Sequence, residues 1–161
     1  VSGDTYVLGL DLSKTRGAIV CYVNGEYRDH KKFKINELHD AYMNTAEFVG
    51  GLIKRLPTKH HLYAYIESPV VGRGGAKVTI QQSFVSGVVQ YCLQCNEWAV
   101  DLVNVQSWKK HVIGSGNSSK EAVSEWFGVN HERMGRLFGG DQDLIDAACV
   151  GLYGIRSLCE A

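Results

Sequence analysis

Four carboxylates stand where burial would be costly. Asp11 closes the apolar run Tyr6-Val-Leu-Gly-Leu10, and Glu67 closes Leu62-Tyr-Ala-Tyr-Ile66. A lone carboxylate after such a run needs a reason to be there. Asp143 and Asp146 lie three residues apart in a helical pattern, so they share a face. If the strands ending in Asp11 and Glu67 are neighbours, a final helix packed across their ends gathers all four acids. Such a cluster repels itself unless a hard divalent cation neutralises it, and oxygen-only ligands suit Mg²⁺ or Mn²⁺. Two such ions about 3.5–4 Å apart can activate a water and stabilise the leaving oxygen of a phosphodiester. Asp141 competes for this role. An acid at a helix start is favoured by the helix dipole, so Asp141 reads as the N-cap and Asp143 as the ligand.

The elements that must position these acids show as periodicities. Residues 6–12 and 16–23 read as buried strands, and Asn24-Gly25 is a hairpin signal that returns residues 26–34 as a third. Leu38, Ala41, Tyr42, Ala46, Val49, Leu52, Ile53 and Leu56 recur at helical steps, predicting a long amphipathic helix that stops near Pro57. Residues 62–67 form a fourth strand. The stretch 68–76 holds Pro69, Gly72, Gly74 and Gly75 and reads as a mobile loop.

Residues 77–95 are helical with two apolar rows. Ile80, Phe84, Val88, Tyr91 and Cys95 form one; Val78, Val85, Val89 and Cys92 form the other. A surface helix needs a single stripe, so this one is either wedged in the core or shared with a second subunit. Gly87 would let two helices approach closely, and Val85 is expected to point outward. Residues 99–105 read as a fifth strand, and 107–113 and 117–127 as short helices. The second of these opens on the capping pattern Ser118-Ser119-Lys120-Glu121. Residues 141–158 form the final helix. This order predicts an α/β fold: a mixed five-stranded sheet, three antiparallel strands then parallel additions, with helices on both faces.

Composition bounds the function classes. At 161 residues, the chain has room for one domain, expected to span 1–161. With 45% apolar and 21% charged residues it is not a disordered sequence. Seventeen residues of each charge sign exclude a uniformly cationic protein, though not a local basic face. No apolar run approaches the ~20 residues of a membrane span. No basic-then-apolar signal segment opens the sequence. Five cysteines, an odd count, argue against a secreted disulfide scaffold. Cys92 and Cys95 have CxxC spacing but no second pair to complete a zinc set, and are expected as small core residues. A reducing cytoplasm is the expected setting.

Together these residues resemble the RuvC family of Holliday-junction resolvases, within the RNase H-like superfamily. The resemblance runs from Gly9-Leu-Asp11 to Asp143-Leu-Ile-Asp146-Ala-Ala. Its most specific stretch is Trp108-Lys109-Lys110-His-Val-Ile-Gly114-Ser-Gly116-Asn-Ser-Ser-Lys120: a lysine pair, a Gly-x-Gly turn and a lysine opening the next helix. The short form looks more like bacteriophage members than bacterial housekeeping ones, which implies a bacterial host cell. The resemblance implies a homodimer, joined through helix 77–95, that binds four-way or branched DNA and nicks it symmetrically in recombination, repair or phage DNA processing.

Carried over by position, the resemblance implies that Asp11, Glu67, Asp143 and Asp146 hold the metals. Lys109 and Lys120 would stabilise phosphate charge at the scissile bond, with Lys110 competing for the role of Lys109. Lys14, Arg16, Arg73 and Lys77 are further candidates for DNA phosphates. Where bacterial members carry an aromatic wedge after the glutamate, this chain has Ser68, Pro69, Val70 and Val71.

Other readings stay open. The same fold cutting RNA in a hybrid, or other branched DNA, can work as a monomer. A non-catalytic junction-binding protein would not need all four acids. An actin-like ATPase also opens a phosphate hairpin with Asp-x-Ser, as Asp11-Leu-Ser13 does, but it needs two lobes and far more residues.

Overall fold

The computed structural model describes residues 3–53, 60–72 and 74–161. Strand β1 (Thr5–Leu12) pairs antiparallel with β2 (Arg16–Val23), and β2 with β3 (Glu26–Lys34). Asn24 and Gly25 turn the second hairpin with φ of 53° and 83°. Two positive φ values in succession define the hairpin turn that matches strand twist, which is why this dipeptide sits there. Helix α1 (Leu38–Ile53) follows, its approach held by the Asp40 carboxylate accepting from the Asn36 and Glu37 amides. The expected continuation of this helix to Leu56 and Pro57 lies outside the described residues.

Strand β4 (His61–Glu67) then runs parallel to β1, and β5 (Ala99–Val103) parallel to β4, with helix α2 (Ala76–Cys95) between them. The result is a five-stranded mixed sheet in the order β3-β2-β1-β4-β5, with helices on both faces. Even-numbered residues of β1 (Leu8, Leu10, Leu12) join Ile19, Cys21 and Ile66 against α1 and α2. On the other face, Val7, Ala18, Val20, Tyr22 and Tyr65 pack under helix α6 (Gln142–Glu160).

Past β5 the chain departs from the expected boundaries. The strand ends at Val103, not 105, because Asn104 accepts a hydrogen bond from the Gln106 amide and caps helix α3 (Val105–Trp108). The backbone then widens into a π-turn at Lys109–Ile113. Helix α4 (Lys120–Asn130) starts later than 117, because Ser119 is the residue whose hydroxyl accepts from the Ala122 amide. Helix α5 (Glu132–Phe138) gave no sequence signal. At seven residues it is too short to show a period, and Gly139 and Gly140, both at positive φ, end it.

Two expectations for α2 need correction. Val85 does not point outward; it is 2% exposed and belongs to the core row with Val89, Cys92 and Leu93. The other row is the outward one, with Phe84 59% and Tyr91 64% exposed. Cys95 lies on that exposed row, so only Cys92 of the pair is a core residue. Both corrections have one cause: a helix facing a sheet on one side buries a single stripe, whatever the apolarity of the next. Among the described residues, no helix is long and apolar enough to cross a membrane.

Candidate active site

Gly9 sets where α6 rests on the sheet. It lies on the α6 face of β1, and a Cβ there would stand 2.0 Å from the Ala147 carbonyl oxygen and 2.4 Å from the Gly151 nitrogen. Helix α6 therefore rests directly on the β1 backbone. Asp11 is two residues along the same strand face, and Asp143 is one helical turn before Ala147, so this contact carries the start of α6 over Asp11. Glu67 follows Ile66, which pairs with Leu10, so it stands beside Asp11 on the neighbouring strand. These are the carboxyl ends of parallel strands, where open α/β sheets leave a crevice.

The electrostatics report the same convergence. Burial pushes the Asp11 carboxyl well above its ordinary range, and the charges of Glu67, Asp146 and Asp143 push it further, with Arg16 opposing. Burial also raises Asp146; Asp143 adds to this, while the Gln142 hydrogen bond and the Lys109 and Lys120 charges pull it back. Asp141 differs from all of these. It caps α6, accepting from the Leu144 amide at 3.1 Å. Burial works against its ionisation, but hydrogen bonds from Lys32 and the Leu144 amide hold it below the usual carboxylate range.

Several side chains fix the acids in place. The Trp108 indole, fully buried, donates from Nε1 to Glu67 Oε2 at 2.8 Å. Gln142 donates from Nε2 to Asp146 Oδ1 at 2.8 Å and accepts from the Ser124 hydroxyl at 2.7 Å. Asp143 Oδ2 pairs with Lys32 Nζ at 3.2 Å and Arg16 Nε at 3.4 Å, and Lys32 also reaches Asp141 Oδ2 at 2.5 Å. Burial opposes the charge on Lys32, yet its hydrogen bond to Asp141, its largest influence, raises its pKa.

The sequence-predicted cations separate into groups. Lys109 turns into the site, donating to the Ser118 carbonyl at 2.9 Å, and Lys120 opens α4 close enough to act on Asp146. Arg16 meets Asp143 directly. Lys14, Lys77 and Lys110 are exposed, and no hydrogen bond or ion pair joins them to the acids among the described residues. Arg73 lies outside the described residues. Lys32, Trp108 and Gln142 are site residues that the sequence does not mark. Trp108 opens the lysine-pair stretch and Gln142 precedes Asp143, but neither residue type announces chemistry. Lys32 stands beside Lys31 in a charged strand, and residue type does not mark which of the two faces the acids.

The donor set bears on whether a hard divalent cation fits. The half-buried Asp11 carboxyl feels three other carboxylates and one opposing cation, Arg16. Oxygen donors around such a net negative centre suit a hard divalent ion. Among the described residues, however, no group of three or more His, Cys, Asp or Glu is drawn together as a ready metal cage. Asp143 is instead turned to Arg16 and Lys32, and Glu67 to Trp108.

No family model and no curated protein matches this sequence. Solved structures do match. Thermus thermophilus RuvC superposes with a TM-score of 0.72 over 96% of both chains, at 14% identity. The T. thermophilus RuvC complex with a Holliday-junction substrate gives 0.71 over 98% of this chain and 96% of that one, at 12% identity. The Fowlpox virus resolvase, in complex with Holliday-junction DNA, gives 0.55 over 95% of this chain and 98% of that one, at 10% identity. The α/β architecture of this chain is thus the fold seen in T. thermophilus RuvC and in the Fowlpox virus resolvase.

Proposed function

We propose that the protein is a metal-dependent endonuclease that resolves four-way DNA junctions, working as a homodimer in recombination, repair or phage DNA processing. The observation that carries this reading is the Asp11 carboxyl: half-buried beside Glu67 at the end of β1, and raised by burial and by the charges of Glu67, Asp146 and Asp143, with Lys109 and Lys120 acting on the neighbouring Asp146. Isolated strand-end carboxylates do not interact in this way, and clustered perturbed acids in a crevice are a mark of function. The match to two junction-bound resolvase structures supports the choice of substrate.

Asp11, Glu67, Asp143 and Asp146 are the residues that would hold Mg²⁺ or Mn²⁺, and such ions supply charge neutralisation and polarisation at a phosphodiester. The remaining parts belong to the chain. Lys120 begins α4, where free backbone amides and the helix dipole already favour a phosphate. Lys109, held by the Ser118 carbonyl, adds a second positive charge. Trp108 fixes the orientation of Glu67. The exposed α2 row of Ile80, Phe84 and Tyr91, with Gly87 open beside it, supports pairing of two subunits.

The test is cleavage of matched junction, duplex and RNA/DNA hybrid substrates, with and without Mg²⁺. Paired symmetric nicks in the junction, lost with chelator and in Asp11→Asn, are expected. Preferential cutting of hybrid or duplex, or an Asp11→Asn protein that cuts like the parent, would overturn the proposal.

A further inference from the structure

Lys32 lies in line with the acid cluster across the sheet. Asp11 pairs with Ala18 on β2, and Ala18 pairs with Lys32 on β3, so the three residues form one row across the sheet. Residues in such a row share a face. The small Ala18 side chain leaves the lysine a path toward the start of α6. Its neighbour Lys31, on the opposite face, pairs with Glu47 of α1.

We propose that Lys32 is an internal counter-ion that stands in for a divalent cation at Asp143 and must be displaced when the cation binds. The inference rests on the metal reading given above. Three features carry it. Lys32 Nζ touches the Asp143 oxygen, Oδ2, that Arg16 also touches, so one ligand oxygen of the cluster is already taken by positive charge. The ammonium is also bonded to Asp141, the helix cap, which keeps an anchor for it when Asp143 is withdrawn. The residue is exposed, so the side chain can swing away without a cavity opening behind it. A divalent ion and an ammonium cannot share one carboxylate oxygen without repulsion, so metal affinity includes the loss of this ion pair.

The experiment titrates DNA-free protein with Mn²⁺ alone, by calorimetry and electron paramagnetic resonance, and follows thermal unfolding with and without Mn²⁺. Lys32→Met should bind Mn²⁺ on the order of fivefold more tightly, the scale of one solvent-accessible ion pair. Its metal-free melting temperature should fall, and its Mn²⁺-induced rise should exceed the parent's. Lys32→Arg keeps the charge and should bind Mn²⁺ like the parent. Lys31→Met, which removes an equal charge from the other face, should also leave Mn²⁺ affinity unchanged. If Lys32→Met melts lower but binds Mn²⁺ as the parent does, Lys32 only braces the cap of α6 and the inference is wrong. If Lys31→Met tightens binding as much as Lys32→Met, the effect is general charge and the inference is also wrong. If neither the parent nor Lys32→Met binds Mn²⁺, the metal reading itself fails and takes this inference with it.

Discussion

Replacing Gly9 by alanine adds one methyl group where α6 rests on β1. The new Cβ would meet the Ala147 carbonyl oxygen at 2.0 Å, the Gly151 nitrogen at 2.4 Å and the Gly151 Cα at 2.8 Å. All three are backbone atoms of a helix, so no rotamer change relieves the clash. Restoring ordinary contact at about 3.5 Å needs a shift of roughly 1.5 Å at Ala147. Overpacking of a core costs about 1–3 kcal/mol, and a rigid helix backbone puts this case near 3. For a domain of this length that lowers the melting temperature by about 6–12 °C. The same shift carries Asp143 and Asp146 away from Asp11 and Glu67. A displacement of about 1 Å costs on the order of a hundredfold in rate, so junction cleavage should fall by about that factor in protein that is still folded. Differential scanning calorimetry and single-turnover cleavage below the transition measure the two effects separately. Gly50→Ala is the control: nothing lies within 4 Å of its would-be Cβ in α1, so it should melt at or above the parent temperature. A Gly9→Ala protein that melts with the parent and cuts at the parent's rate would refute the claim that this contact sets the site.

Further expectations follow from the charges and the exposed faces. Asp11 and Asp146 both have raised folded-state pKa values. The native state then holds protons that the unfolded chain has released, so metal-free stability falls as pH rises from the usual carboxylate range through the folded values. Asp11→Asn should flatten that decline, raise metal-free stability at neutral pH and abolish cleavage, as read by melting curves in chelator across pH together with the junction assay. Lys120→Ala should leave junction affinity close to normal but slow single-turnover cleavage about a hundredfold, roughly 3 kcal/mol of lost transition-state stabilisation. A collapse of binding with a normal saturated rate would make Lys120 an ordinary phosphate contact. Phe84→Glu, at a 59% exposed position, should give a folded monomer by analytical ultracentrifugation, whereas Val85→Glu, at 2% exposed, should fail to fold.

The sequence by itself determined the five strands, the long helices that flank them and the ends at which the acids stand, but not the short helix α5. Alternating apolar runs and the Asn24-Gly25 turn are local signals, and a strand that ends in Asp11 or Glu67 places its carboxylate by chain order alone. The role of Asp141 as cap was also local, because an acid one residue before a helix meets free amides wherever that helix packs. Which apolar row of α2 is buried was not local, since only the sheet decides which side of the helix it covers. The counter-ion was less legible still. The pairing of β2 with β3 slips by one residue between Cys21 and Tyr22. An uninterrupted hairpin from Asn24-Gly25 would set Lys31 opposite Ala18, on the face of the acids, and turn Lys32 away. The bulge reverses that choice, and because strand side chains alternate, a slip of one residue exchanges faces for everything beyond it. Two lysines side by side in one strand do not record such a slip, so only the tertiary structure decided which lysine meets Asp143.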